Sequence, residues 1–264
     1  MPVNFFQAKS YFNYLLKAKH AKGYGLHSPF VFNLVREVFY SKYPYYAFDA
    51  INKRREELKA SDLEVKVVDY GAGSTNFKGS LRRVKALARH SSIASKYGEL
   101  LFRLLQSQKV TNILELGTSI GLSTLYFALA DKRRQIVSIE GCSETANVAR
   151  ETFKKMDCLN VEQVVAQFSD ALPNIVAQMP QLDFVFFDGH HEKEATLDYF
   201  NACLPKVGND SIFVFDDIHW SKGMEEAWEA ICSHPKVTVS LDLFQLGIVF
   251  FKQECQKQHF VVRY

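Results

Sequence analysis

Residues 113–123, with the sequence ILELGTSIGLS, are the stretch on which the fold assignment depends. A β-rich run leads into Glu115, and Gly117 and Gly121 follow shortly after it. Glycines in this position let the chain turn sharply and let a ligand approach the backbone, and the helix that follows offers free N–H donors in its first turn. The stretch therefore predicts a ligand-binding loop between a strand and a helix.

A second glycine-containing stretch, DYGAGS at residues 69–74, also follows a short apolar run. A nucleotide-type site needs a further strand that ends in an acid about 20 residues later, because that acid accepts hydrogen bonds from ribose hydroxyls. Residues 135–140 (QIVSIE) end in Glu140 and meet this requirement for the loop at 113–123, whereas DYGAGS runs into KGSLRRVKALARH without a strand or an acid. The loop at 113–123 is the predicted cofactor loop. DYGAGS either lines the same site or is an ordinary turn.

Short apolar runs alternate with helical stretches through the rest of the chain. The runs cover residues 111–115, 135–140, 161–165, 182–187, 211–215, 237–241 and 247–251. The helical stretches between the first five include 123–130, 143–155, 172–178 and 195–203. Nearly continuous apolar strands that alternate with helices are typical of a parallel sheet covered on both faces. We predict an α/β fold with a Rossmann-like, doubly wound, mostly parallel sheet of seven strands. The last two runs form an antiparallel pair at its end.

The first 90 residues have a different character. They predict helices over 4–19 and 29–40, the second beginning after Ser28, and a short strand over 66–70, before a helix over 93–106. We divide the chain into a mainly helical extension or lid at 1–90, which selects the substrate, and a main domain at 91–264. Residues 1–110 contain 19 Lys and Arg against 8 Asp and Glu, and residues 111–264 contain 13 against 21. The basic part either meets an acidic partner or docks on the acidic part of the same chain.

Composition excludes several classes of protein. The chain has 264 residues, 47% of them apolar, so it can bury a substantial core. Its five scattered cysteines form no CxxC pair and argue against a disulfide framework or a zinc knuckle. The beginning of the chain lacks the apolar segment of a secretory signal, and no stretch reaches the roughly 18 apolar residues of a membrane span. We therefore expect a cytoplasmic protein without a membrane span.

Five ordered motifs make residues 91–251 resemble the class I S-adenosylmethionine-dependent methyltransferases. They are YGELLFRLL (97–105), ILELGTSIGLSTLYFA (113–128), IVSIE (136–140), DFVFFDGHH (183–191) and SIFVFDDIHW (211–220). Within that family they are similar to small-molecule O-methyltransferases of the catechol, caffeoyl-coenzyme A and macrolide-sugar kinds. The G-x-x-x-G spacing of the loop also differs from the G-x-G-x-x-G of NAD(P) and FAD binders.

The resemblance implies roles for named residues. Those around the methionine end of S-adenosylmethionine would be Glu115, Gly117, Ser119, Gly121 and Ser123, with Asp188 also near the cofactor. Glu140 would accept hydrogen bonds from both ribose hydroxyls, and Phe168 and Ser169 would flank the adenine.

Three aspartates follow apolar runs and should meet at the carboxyl edge of the sheet. The resemblance implies that Asp188, Asp216 and Asp217 hold Mg²⁺ or another divalent cation, the last in place of a more usual asparagine. His191 stands where catechol-type relatives have a lysine, so His191 and Asp188 are the candidate catalytic residues. Alternatively, Asp216 or Asp217 caps a helix that begins near Ser221, or His190, His191 and His219 form a transition-metal cluster.

The leading functional prediction is methyl transfer to a hydroxyl of a small molecule, which the basic extension suggests is anionic. The alternatives are an RNA methyltransferase that binds nucleic acid through the basic extension, a cofactor-binding scaffold without turnover, and a nicotinamide oxidoreductase. The extension matches no recognised RNA-binding module, so a nucleic-acid partner is not the expectation. A homodimer is compatible with the sequence. HSPF at 27–30 and RHSS at 89–92 are candidate substrate contacts.

Overall fold

The computed structural model describes residues 5–18, 25–68, 70 and 80–264. In this part of the chain a central sheet has eight strands in the order β10-β8-β9-β7-β6-β3-β4-β5, and a separate two-stranded sheet pairs β1 with β2. The strands are β1 Glu64–Lys66, β2 Leu81–Arg83, β3 Asn112–Leu116, β4 Gln135–Glu140, β5 Val161–Val165, β6 Leu182–Phe187, β7 Val207–Asp216, β8 Val239–Asp242, β9 Leu246–Phe250 and β10 Gln258–Val261.

Helices connect the strands and precede them. They are α1 Phe5–Lys17, α2 Pro29–Leu34, α3 Tyr46–Lys59, α4 Val84–His90, α5 Ser95–Ser107, α6 Leu122–Ala128, α7 Ser143–Lys155, α8 Phe168–Gln178, α9 Lys193–Cys203 and α10 Lys222–Ser233. A π-helical turn, Val35–Phe39, continues α2, and a 3₁₀ turn, Leu204–Lys206, follows α9.

The order and direction of the strands confirm the predicted fold class. Strands β5, β4, β3, β6 and β7 are parallel, and β9 runs antiparallel to both β7 and β8. The sheet has one strand more than the seven predicted, because β10 pairs in parallel with β8 at the edge. Its sequence, QHFV, is short and half-exposed, so it has no continuous apolar run from which a strand is predicted.

Side chains alternate between two core layers along each central strand. In β3, Ile113 packs into one layer, whereas Leu114 and Leu116 pack into the other. Phe184 and Val185 divide in the same way in β6. Both faces of the sheet are therefore covered by helices, and ligands can reach it from the ends of the strands.

The N-terminal extension packs into the same core as the sheet. Val31, Ile51 and Val65 are buried in the layer that contains Ile113. The predicted helix start at Ser28 is confirmed, because its hydroxyl accepts a hydrogen bond from Val31 N at 3.4 Å. The strand predicted at 66–70 is misplaced. β1 ends at residue 66, and its partner β2 comes from the stretch predicted to lack a strand.

Two further predictions concern the same region. Of DYGAGS, only Tyr70 belongs to the described residues, so the rest of that motif lies outside them. Across the described ranges, no helix combines the length and apolar character needed to cross a bilayer.

Candidate active site

A cavity of about 470 Å³ opens at the carboxyl ends of β3, β4, β6 and β7. Gly117 and Ser119 line it from the loop after β3, and Glu140 lines it from the end of β4. Asp188 follows β6, and Asp216 ends β7. Parallel strands place their carboxyl ends at one edge of a sheet, so residues far apart in sequence meet here.

The glycine loop is connected directly to the acid that follows it. Ser119 N donates a 2.7 Å hydrogen bond to one oxygen of Glu140, and Cys142 N donates a 2.8 Å bond to the other. A carboxylate oxygen can accept more than one hydrogen bond. Glu140 is therefore held in a fixed position at the cavity wall, where it can accept further hydrogen bonds from a ligand.

Gly117 allows two parts of the backbone to come close together. Its φ is +108°, and a Cβ at this position would lie 1.8 Å from the carbonyl oxygen of Asp188. The amide of Asp188 donates a 2.8 Å hydrogen bond to Leu116 O on the same side. Only glycine fits this position, because any side chain would overlap the backbone of the next strand-end loop.

Glu115 lies behind the loop rather than in the cavity wall. It is fully buried and accepts hydrogen bonds from the hydroxyls of Ser123 (2.6 Å), Thr124 (2.5 Å) and Ser138 (2.5 Å). Burial raises its pKa to about 7, and the three hydroxyls oppose that shift. Glu115 and Ser123 therefore support the loop from below.

Some of the remaining predicted cofactor residues line the cavity and others do not. Gly121 has a φ of +85° and precedes α6, but it does not line the cavity. Ser169 is exposed, and its hydroxyl donates to Asp170 at 3.1 Å. Phe168 does line the cavity and packs edge-on against His190. The structure thus brings together Gly117, Ser119, Glu140, Phe168 and Asp188 and leaves Glu115, Gly121, Ser123 and Ser169 outside the cavity wall.

The carboxyl groups of Asp188, Asp216 and Asp217 line one end of the cavity. Burial and the charges of Asp216 and Asp217 raise the pKa of Asp188 well above its usual range. Burial and the charge of Asp217 raise the pKa of Asp216 to about 8. The amide of Gln245 donates to Asp216 at 3.1 Å and to Asp217 at 2.5 Å.

Carboxylate oxygens are the ligands that Mg²⁺ prefers, and a cation would relieve the repulsion among these three groups. Within the residues described, however, no three His, Cys, Asp or Glu side chains are grouped closely enough to enclose a metal ion. The donor chemistry of Asp188, Asp216 and Asp217 fits a divalent cation, but the three side chains do not form a closed coordination group. The magnesium site stays a prediction.

The helix-capping alternative for the aspartates is wrong. Ser221 is the residue that caps α10, and its hydroxyl accepts a 3.2 Å hydrogen bond from Met224 N. The three histidines of the proposed transition-metal cluster also have different surroundings. His219 lies between Glu225 (2.7 Å) and Asp242 (2.9 Å), whereas His190 bonds to Tyr199 at 2.6 Å.

His191 faces the acidic end of the cavity. Its Nε2 lies 3.7 Å from an oxygen of Asp188, and both residues line the cavity. Four of the six non-glycine residues with positive φ in the described ranges line this cavity, and they are Ser119, His190, His191 and Asp217. Strained backbone of this kind concentrates at functional sites, because the surrounding structure has to maintain it.

Several cavity residues have no sequence motif that predicts them. Gln245 comes from the turn before β9, and Arg82 comes from β2. Tyr70 also lines the cavity, and it belongs to DYGAGS, for which lining the site was one of the two predicted alternatives. Of the candidate substrate contacts, residues 90–92 line the cavity, whereas none of residues 27–30 does. Only the spatial arrangement of the fold, not a local pattern, identifies Gln245 as a neighbour of the aspartates.

Comparisons with known proteins agree with this geometry. Residues 114–218 match a family model described as a methyltransferase domain. A catechol O-methyltransferase from Niastella koreensis is 28% identical over 130 residues, which are 48% of this chain and 58% of the relative. The match therefore spans little more than half the length of that curated relative.

Solved structures share the fold at low sequence identity. The O-methyltransferase from Bacillus cereus in complex with S-adenosylhomocysteine (SAH) has a TM-score of 0.56 and 18% identity, and the match covers 80% of this chain and 93% of that one. An SAH-bound methyltransferase from Podospora anserina has a TM-score of 0.58 and 14% identity, covering 96% and 98%. The comparisons confirm the resemblance to class I S-adenosylmethionine-dependent methyltransferases, including O-methyltransferases, and the Rossmann-like fold.

Proposed function

We propose that this chain transfers a methyl group from S-adenosylmethionine to a hydroxyl of a small molecule. The observation that carries the proposal is the pair of backbone hydrogen bonds, from Ser119 and Cys142, that fixes Glu140 at the wall of the cavity. An acid held in this way after a glycine loop suits recognition of a ribose. The match of residues 114–218 to methyltransferase domains supports S-adenosylmethionine rather than a nicotinamide as the nucleoside-containing ligand.

The cavity residues suggest how the methyl donor would be held. Gly117 and Ser119 would face its methionine end, Glu140 its ribose and Phe168 its adenine. When bound, S-adenosylmethionine supplies a methyl group on a positively charged sulfur. Gly117 and Ser119 lie in the loop after β3, Glu140 ends β4 and Phe168 begins α8. The sheet and its helices fix these positions, so the four residues can hold a donor in one orientation relative to the acceptor.

The acceptor end of the cavity contains a base and an acid in proximity. A neutral hydroxyl is a weak nucleophile, so the reaction benefits from a group that takes its proton. His191 would take that proton, and Asp188, with a carboxyl oxygen 3.7 Å from Nε2, would orient the imidazole. Asp188 and His191 lie next to each other in the cavity. The acceptor hydroxyl would therefore lose its proton at the same place where it receives the methyl group.

A divalent cation is a second component of the proposal. Asp188, Asp216 and Asp217 would hold it, since they offer three hard oxygen donors with mutually repelling charges. Such a cation would lower the pKa of an acceptor hydroxyl bound to it. Gln245, which donates to two of these carboxylates, would keep them in place beside the acceptor.

The size and lining of the cavity favour a small acceptor with an acidic group. A volume of about 470 Å³ lies in the range of small-molecule sites. Arg82 and His90 line it from the extension, and they can attract an anion. The similarity to a catechol O-methyltransferase supports a vicinal diol as the accepting group.

The test is methyl transfer to paired acceptors. The protein is incubated with labelled S-adenosylmethionine, Mg²⁺ and either catechol or 3,4-dihydroxybenzoate, and the products are separated by chromatography. We expect labelled methyl ether from both diols and a higher kcat/KM for the carboxylate-bearing one. Binding of the donor without transfer to any diol, combined with labelling of an RNA mixture, would contradict the proposal.

A further inference from the structure

The β1–β2 pair docks beside the predicted ribose-binding acid. Lys66, the last residue of β1, donates from its amide to Glu144 at 2.5 Å. The thiol of Cys142 donates to Lys66 O at 3.4 Å. Cys142 and Glu144 lie two and four residues after Glu140 in the chain. Part of the N-terminal extension is therefore fastened to the segment that follows β4.

Tyr70 extends this contact into the cavity wall. A Cβ built on Gly141 would lie 2.8 Å from Cδ2 and 3.0 Å from Cε2 of Tyr70, so the ring rests against the backbone of Gly141. Tyr70, Glu140 and Gly141 line the same cavity. Tyr70 is 46% exposed, so solvent lies on the ring's other side. The ring therefore lies between solvent and the backbone of the residue that follows Glu140.

We infer that Tyr70 is a lid residue that covers the ribose of bound S-adenosylmethionine or SAH. This inference rests on the proposed function, because it assigns the ribose to Glu140. The ring contributes apolar contact with the nucleoside and keeps water away from the hydrogen bonds between Glu140 and the ribose hydroxyls. Hydrogen bonds to a charged group are stronger where water is excluded. The extension thereby takes part in holding the donor as well as the acceptor.

Gly141 has no side chain, and replacing it by alanine provides a second, independent test of the lid. Alanine at residue 141 would displace the Tyr70 ring, since its Cβ would be too close to two ring atoms. If the ring contributes to cofactor binding, Gly141→Ala weakens binding in the presence of Tyr70 and has little effect once the ring is removed. A double-mutant cycle measures this dependence directly.

The experiment is calorimetric titration of SAH into the full-length protein and its variants. We expect Tyr70→Ala and Gly141→Ala each to raise Kd by roughly five- to tenfold, the range of one aromatic contact. The double variant should bind no more weakly than the weaker single variant. Tyr70→Phe should stay within about twofold of the unaltered protein, because the contact uses ring carbons.

Tyr46→Ala is the matched control, because Tyr46 is 96% exposed on α3 of the same extension and does not line the cavity. Its Kd should equal that of the unaltered protein. Normal SAH binding by both the unaltered protein and Tyr70→Ala would overturn the lid alone, and so would fully additive effects of Tyr70→Ala and Gly141→Ala. Failure of the unaltered protein to bind SAH would overturn the proposed function, and the lid with it.

Discussion

The amide of Ser119 donates a 2.7 Å hydrogen bond to the carboxylate of Glu140, across 21 residues of sequence. This bond joins the glycine loop after β3 to the end of β4, and both residues line the cavity. The position of the loop and the position of the acid are therefore set together. The proposed site depends on this connection.

Replacement of Glu140 by glutamine should weaken SAH binding by about 10- to 100-fold, because hydrogen bonds to a charged acceptor are lost. Calorimetric titration measures the change. Glu162→Gln is the matched control, since Glu162 is exposed on the neighbouring strand β5. Equal Kd values for Glu140→Gln and Glu162→Gln would show that Glu140 does not bind the ribose.

Gly117→Ala should abolish SAH binding and destabilise the fold by about 2–4 kcal/mol. The added Cβ would lie 1.8 Å from the backbone of Asp188, at a φ that side chains rarely adopt. Urea denaturation gives the free energy of unfolding. Gly223→Ala provides the comparison, because a Cβ there meets its nearest atom at 3.5 Å, near the start of α10. An unchanged midpoint for Gly117→Ala would contradict the close approach.

Glu115 makes the stability of the protein depend on pH. Its pKa rises from 4.5 in its ordinary state to about 7 in the folded protein. Between these values Glu115 holds a proton in the folded protein that it has released in the unfolded chain, so its contribution to the free energy of unfolding falls as the pH rises to about 7 and is constant above it.

Glu115→Gln removes this contribution. From pH 5 to pH 8 the stability of the variant should improve relative to the unaltered protein by about 2–3 kcal/mol. Urea denaturation at both pH values measures the difference, and Glu162→Gln should show none. A constant difference between Glu115→Gln and the unaltered protein would mean that Glu115 is ionised throughout this range.

His191→Gln should lower kcat by about 100-fold and leave the Kd for SAH unchanged, because the imidazole acts on the acceptor and not on the donor. Steady-state transfer to 3,4-dihydroxybenzoate together with calorimetry separates the two effects. His234→Gln, which changes a histidine that does not line the cavity, is the control. Full activity of His191→Gln would remove His191 as the base.

Removal of divalent cations should stop methyl transfer, and addition of Mg²⁺ should restore it. Asp216→Asn should raise the Mg²⁺ concentration needed for half-maximal activity by at least about tenfold, since a charged ligand becomes neutral. Titration of Mg²⁺ into dialysed protein measures this change. Asp198→Asn is the control, because Asp198 is an exposed residue of α9. Undiminished turnover in the presence of a chelator, and full activity of Asp216→Asn, would exclude the metal.

The central sheet could be predicted from sequence because its strands are continuous apolar runs separated by helical stretches. The edge strand β10 could not, since residues 258–261 are half-exposed and contain no such run. The strand β2 could not be predicted either, because its sequence, LRR, has no apolar alternation and it is held by pairing with β1.

The site was predictable where the chemistry belongs to a strand end, as for Asp188 and Glu140. It was not predictable where the neighbours are distant in sequence. Glu115 turns away from the cavity because Ser138, from β4, and Thr124, from α6, surround it with hydroxyls. Gln245 contacts Asp216 and Asp217 from the turn before β9, and no local sequence pattern predicts that contact.

Calorimetric titration of the unaltered protein with SAH, S-adenosylmethionine and NADH tests the central claim most directly. The account predicts a single site that binds both methionine derivatives, is lost in Gly117→Ala and does not bind NADH. Binding of NADH without a response to either methionine derivative would contradict it.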